Sequence, residues 1–198
     1  MNYNDVRQIL ARFTKLDENP EELDARINLG QNQRFAQCYE AKDFESLRPF
    51  KANAGEDGVP LYVINGRATL PNDYFAYESA TIIKDGVSRQ VEFVEDAEWD
   101  NRKQNYIEIP NWDYPLGNMH FSYMRVLPKT IQYVLLNYFF APPDVKFGYT
   151  KAHGYVEYDP MTSVDLLWNA ENVTAIILLV LQGLGIKATS EQVKQAEQ

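Results

Sequence analysis

An α+β fold is predicted for this chain by three observations. Helical apolar stripes lie in residues 1–50 and again in 161–198, while the stretch between them is rich in aromatic and β-branched residues broken by Gly, Pro and Asn. The late segment Val173-Thr174-Ala175-Ile176-Ile177-Leu178-Leu179-Val180-Leu181 is apolar on nearly every side. A helix of that kind must be covered on most of its surface. It is too short to span a bilayer, which takes about 20 apolar residues, so protein is expected to cover it. The expected organisation is an N-terminal helical part (1–50), an antiparallel β-rich middle (51–160) and C-terminal helices (161–198) that pack back on the same domain.

The first helix is predicted over residues 4–16, where Val6, Ile9, Leu10 and Phe13 repeat at helical spacing and Asn4 or Asp5 supplies the cap. Asn19-Pro20 breaks it. Pro20 suits the first turn of a second helix, with Glu21 and Glu22 near its positive end, running to about Ser46. Gly30 inside that helix costs about 1 kcal/mol relative to Ala and marks a kink or a close helix contact.

Residues 51–60, KANAGEDGVP, form a polar linker. Leu61 to Ile64 reads as a strand ended by Asn65-Gly66, and Leu70-Pro71-Asn72-Asp73-Tyr74 as the start of a turn or short helix. Glu78–Ile83 and Val87–Val94 flank Lys84-Asp85-Gly86 as a hairpin. Residues 95–105 are charged and expected to be exposed, with a short strand at Tyr106–Ile109. Met119–Val126 and Thr130–Phe140 flank Leu127-Pro128-Lys129; the second run also fits a helix, but its aromatic and β-branched content favours a strand. Asn169 or the segment Ser163–Asp165 caps the apolar helix, Gly183 and Gly185 end it, and Thr189 with Gln192 forms a capping box for a last short helix.

Composition narrows the function classes. A net charge of −9 argues against a protein that holds nucleic acid through its phosphates, although not against a surface past which DNA slides. Cys38 is the single cysteine, which excludes an internal disulfide and a Cys-rich metal site. Residues 1–5 show no basic start before an apolar run, so no secretory signal is expected.

Chemical signatures are sparse. There is no phosphate-cradling G-x-x-x-x-G-K-[ST], no G-x-G-x-x-G, no G-x-S-x-G and no H-E-x-x-H. His120 and His153 stand far apart, and each reads as structural or solvated. Cys38 reads as a buried helical thiol. The carboxylates Glu95, Asp96, Glu98 and Asp100 read as solvated charge, since sequence spacing does not set a catalytic separation. The sequence therefore predicts no enzyme and no cofactor. Aromatic density in residues 106–158 is the strongest remaining signal, with Trp112, Tyr114, Tyr155 and Tyr158 the chosen packing or interface positions. It suits a core plus an interface, or a sugar-stacking platform. From the apolar helix, Ile176, Ile177, Leu179, Val180 and Leu184 are the expected packing residues, and Leu179→Asp is expected to abolish folding or assembly.

The stretches Arg26–Phe35, Leu70–Tyr74, Tyr158–Asp165 and Gly183-Leu184-Gly185-Ile186 resemble virion structural proteins of crAss-like phages. In element order and length the chain is more distantly similar to tail tubular protein A, the connector ring of short-tailed phages. Leu167-Trp168 departs from that pattern, where a more acidic or Pro-containing helix start is expected. The resemblance implies a head–tail connector or tail ring protein in the virion, made in the host cytoplasm. It implies a homo-oligomeric ring of about twelve copies with heterologous contacts. Its partners are then the portal protein and other tail rings, and DNA crosses the lumen during genome ejection without specific binding. No membrane span is expected, and the apolar helix is expected against the sheet or at the subunit seam. The alternative is a carbohydrate- or receptor-binding module of a virion or bacterial protein, carried by Trp112 and Tyr114.

Overall fold

A computed structural model describes residues 3–14, 20–54, 60–104, 109–152 and 155–196. The fold is α+β, with helices toward both chain ends and a β-rich middle. Two compact units form: one from Met1–Phe50 together with Pro142–Gln198, the other from Lys51–Ala141. The second boundary thus falls after Ala141 rather than after residue 160. Ala141-Pro142-Pro143 closes the last strand of the middle unit, and the chain from Pro142 onward belongs to the helical unit.

In the helical unit, α1 (Tyr3–Phe13) buries Tyr3, Val6, Ile9 and Leu10 as one stripe. Its first turn is also held from far away in sequence, because the Tyr3 N–H donates to Asp165 Oδ1 at 2.7 Å. An anionic oxygen there meets one of the orphan N–H groups of the first turn. Helix α2 (Pro20–Glu40) begins at Pro20 and ends six residues before the expected Ser46. Lys42 takes a left-handed φ of 57°, the Lys42 N–H donates to the Tyr39 carbonyl at 3.0 Å, and the Asp43 N–H donates to the Cys38 carbonyl at 2.9 Å. That is a Schellman stop built on a lysine, which carries no sequence signal.

The hairpin β10 (Tyr149–Ala152) and β11 (Tyr155–Tyr158) pairs Tyr149 with Tyr158. The apolar helix α4 (Ala170–Gly183) starts on Asn169, whose side chain accepts from the Asn172 N–H at 2.9 Å. It ends when the Gly185 N–H donates to the Gln182 carbonyl and the Ile186 N–H to the Leu181 carbonyl, each at 2.9 Å. Helix α5 (Ser190–Ala196) carries the reciprocal box: Gln192 N–H to Thr189 Oγ1 at 3.3 Å, Thr189 N–H to Gln192 Oε1 at 2.9 Å.

The middle unit holds β1 (Lys51–Ala54), β2 (Leu61–Tyr62), β3 (Arg67–Thr69), β4 (Tyr74–Lys84), β5 (Val87–Gln90), β6 (Glu92–Phe93), α3 (Asp96–Lys103), β7 (Leu116–Met119), β8 (Tyr123–Leu127) and β9 (Tyr133–Phe140). One sheet runs β1-β9-β4-β5, with β2 also on β9; the other runs β3-β8-β7-β6. Every pair is antiparallel except β6 with β7. Ala80 and Ile82 of β4 and Val134, Leu136 and Tyr138 of β9 share one core with Ala68 of β3 and Met124 and Val126 of β8. Alternation places these residues inward, and each large one stabilises by about 2 kcal/mol on burial. Asn65-Gly66 and Asp85-Gly86 both hold left-handed φ (53° and 78°, 53° and 77°), the two-residue turn that matches strand twist.

Residues 95–104 are exposed as expected, apart from half-buried Arg102 and buried Trp99, and Asp96–Lys103 among them form a helix. Two expectations for this unit are corrected. Met119–Val126 is two strands, with His120–Ser122 as the turn between them, and the His120 N–H donates to the Tyr123 carbonyl at 2.9 Å. Ile109 lies in no strand, and the rest of the expected strand, Tyr106–Glu108, falls outside the described residues. Tyr133–Phe140 is a strand.

Candidate assembly surface

The expected packing residues of α4 divide by depth. Ile176, Ile177 and Val180 are buried, while Leu179 and Leu184 are half-buried. Within the chain α4 packs on α2, α1 and α5. Gly30 of α2 allows the close approach: a Cβ there would stand 3.0 Å from Val180 Cγ2 and 3.4 Å from Ile176 Cγ2. Phe35, Phe50 and Trp168 extend this core with ring centroids 4.6–6.3 Å apart. Cys38 is buried beside it, and burial pushes its thiol pKa up, which keeps it a protonated packing group.

A polar ladder on α2 has no counterpart in the sequence reading. Asp24, Asn28 and Gln31 recur at i, i+4 and i+7 and hold the segment 143–147. Gln31 Nε2 donates to the Pro143 carbonyl at 2.8 Å. Asn28 pairs with both backbone groups of Val145, accepting its N–H at 2.7 Å and donating to its carbonyl at 3.1 Å. The Phe147 N–H donates to both Asp24 carboxylate oxygens at 3.2 Å. Phe147 then stacks on Tyr158 at 5.3 Å and lies under the Arg7 guanidinium at 4.0 Å. Tyr158 is therefore a packing residue of this unit. Tyr155 gives its backbone to β11, and its side chain lies outside the described residues, as does His153.

Two buried tyrosines donate to carboxylates: Tyr3 to Asp24, and Tyr138 to Asp73 at 3.0 Å. For Tyr138, burial first and then the Asp73 carboxylate push the pKa from 10.0 up to about 12. Tyr3 is raised by burial and Asp24 in the same direction. A folded-state pKa above the unfolded one means stability that is intact below pH 10 and lost as pH rises toward 12. The melting temperature is accordingly expected to fall across that interval, and less steeply in Tyr138→Phe; equal slopes in the two proteins would remove Tyr138 from this account.

Trp112 and Tyr114 do not form one platform. Trp112 is half-buried against the core of the middle unit, with Lys84 Nζ 4.8 Å from its ring centroid, and it lines a cleft of about 240 Å³. Tyr114 is 75% exposed and lines a different cleft, of about 470 Å³, with Asn111, Ile109 and the ion-paired Glu92 and Arg102. His120 accepts from Arg125 Nε at 2.6 Å and stacks on Tyr123 at 4.5 Å. Among the described residues, no group of three or more His, Cys, Asp or Glu is placed to hold a metal ion.

The middle unit exposes several large apolar and aromatic side chains among its charged ones. Tyr62 and Tyr133 stand opposite each other in register and are 68% and 38% exposed. Ile64, just past the end of β2, continues the alternation of half-buried and exposed positions and is 73% exposed. Phe121, at the tip of the β7–β8 turn, is fully exposed. In the helical unit Met161, Leu29 and Leu167 are exposed as well. Single exposed apolar residues are ordinary, but exposed Tyr62 and Tyr133, paired in register, with Ile64 two residues on, form a grouping of the kind that interaction surfaces use. Among the described residues no helix is long and apolar enough to cross a membrane. Compared with known proteins, the chain matches no family model and no curated sequence.

Proposed function

We propose that this chain is a structural subunit of a phage head–tail connector or tail ring below the portal, assembled as a ring through which DNA passes. The observation that carries this reading is the set of exposed apolar side chains Tyr62, Ile64 and Tyr133, with Phe121 exposed separately at the β7–β8 turn, which suit burial against another protein. The likeness of Arg26–Phe35 and Tyr158–Asp165 to virion structural proteins supplies the kind of assembly. The net charge of −9 suits a lumen that DNA does not adhere to. Virion location, the portal and neighbouring rings as partners, and the absence of catalysis belong to the same proposal.

Its test is the mass of the purified chain in solution, alone and mixed with portal protein. A particle many times the 22.9 kDa of one chain is expected, and Ile64→Asp combined with Phe121→Asp should return it to monomers without changing the fold. A chain that stays monomeric in both samples would overturn the reading. The second reading, a carbohydrate- or receptor-binding module, is favoured by Tyr114 and Asn111 lining the 470 Å³ cleft. A monomer that binds glycans and loses that binding in Tyr114→Ala would select it.

A further inference from the structure

The chain is acidic overall, yet the middle unit contains a cleft whose charged lining is entirely basic. It measures about 210 Å³ and is lined by Arg67, Lys103, Arg125 and Lys129, with Trp99 and the Asn65-Gly66 turn completing its walls. We propose that this cleft binds a phosphate group, carried either by a free phosphate or by the backbone of a DNA strand. The proposal goes beyond the assembly reading and holds whether or not the chain forms rings.

Register concentrates the charge. Arg67 of β3 and Arg125 of β8 are directly opposed Cα partners. Like charges in that position destabilise a strand pair. Only one of the two is neutralised: Arg125 Nη2 lies 3.1 Å from Asp96 Oδ1, and its guanidinium sits 5.3 Å from the Trp99 ring centroid. Arg67 rests 5.1 Å from the Tyr123 ring centroid, which offers no negative charge to pair with. Among the described residues no carboxylate forms an ion pair with Arg67, Lys103 or Lys129. All three are exposed and so reachable from solvent. Lys103 closes the last turn of α3, and Lys129 stands just past the end of β8.

Size and donor chemistry select the ligand. Drug-sized ligands occupy pockets of roughly 300–1,000 Å³, so this smaller cleft suits a compact anion. Guanidinium forks match the oxygen geometry of phosphate, and lysines add point charge. A lone carboxylate brings one charge and two oxygens to three unpaired cations. A free phosphate brings more charge and more acceptor oxygens, and a strand brings successive phosphodiesters, each with two oxygens able to take a charge-assisted bond. Contacts of this kind read backbone rather than base, so they confer no sequence preference. They are compatible with DNA that moves past the protein.

The experiment uses the full chain in phosphate-free buffer. Inorganic phosphate and pyrophosphate are titrated by calorimetry, and a short fluorescent DNA duplex by anisotropy over a salt series. Arg67→Gln and Lys129→Gln are compared with Lys187→Gln, a control in the helical unit. Binding of at least one probe is expected in the native chain and the control. Each cleft variant should flatten the log–log salt dependence of duplex binding by about one per lost contact. Competition by inorganic phosphate or pyrophosphate assigns the site to free phosphate, and duplex binding that neither displaces assigns it to the strand; both support the proposal. Failure of all three probes, or binding unchanged in both cleft variants, overturns it. The particle mass of the same samples keeps the readings apart. Lost assembly in the cleft variants without phosphate binding by the native chain would assign the cleft to a subunit contact instead, while a monomer that binds phosphate leaves this inference standing and removes the ring.

Discussion

Ile176→Asp is expected to leave no cooperatively folded helical unit at room temperature. Ile176 is fully buried on the face of α4 that meets α2, 3.4 Å from where a Gly30 Cβ would stand. Removing the aliphatic side chain costs about 2–5 kcal/mol, and a buried carboxylate without a partner costs several more. That approaches the whole stability of an ordinary domain, about 5–15 kcal/mol. Leu179→Asp, by contrast, is expected to lose about 1–2 kcal/mol, since Leu179 is half-buried and its carboxylate can reach water. Half-burial thus narrows the expectation for Leu179→Asp from loss of folding or assembly to a partial loss of stability, with its effect on assembly read from particle mass. Urea denaturation monitored by circular dichroism checks both variants, and a native-like transition in Ile176→Asp would sink this account of α4.

Gly148→Ala is expected to be the most damaging Gly→Ala change among the described residues, with a loss of about 3 kcal/mol or more. Gly148 is buried under the turn that begins at Asp159. A Cβ at this position would stand 2.5 Å from the Asp159 carbonyl oxygen and 2.5 Å from the Ser163 nitrogen, and would also collide with Thr162 Oγ1. Two of these are backbone atoms, which cannot rotate aside. The turn is also held tightly: the Gly148 N–H donates to Ser163 Oγ at 2.9 Å, Ser163 Oγ donates to the Asp159 carbonyl at 2.8 Å, and the Asp159 N–H donates back to the Gly148 carbonyl at 2.9 Å. Opening this ring to admit a methyl group strands polar groups as well as shifting backbone. A thermal melt within a degree or two of the native protein's would refute this account of the turn.

How far the sequence could be read depended on whether a signal was local. Asn169, the Thr189–Gln192 box, Pro20 and the two Xaa-Gly turns were legible because capping and turn chemistry act within four residues. Helix α3 was missed because Trp99 is the one large apolar residue among charges, too little for a helical stripe. The end of α2 was missed because Lys42 adopts a conformation that its neighbours impose and its identity does not announce. The basic cleft was invisible because its residues come from three separate stretches of chain, brought together by the pairing of β3 with β8 and by the placing of α3.

Residue order alone determined the α+β class, the apolar helix and the demand that protein cover it. Which protein does so was decided by tertiary packing: α2, α1 and α5 of the same unit lie against α4. Periodicity reports how much of a helix must be hidden, because it arises from the side chains themselves. It does not report the partner, since every apolar surface of suitable shape satisfies the same demand. The exposure of Tyr62, Ile64 and Tyr133 has the same origin: strand register, a long-range property, left these residues uncovered.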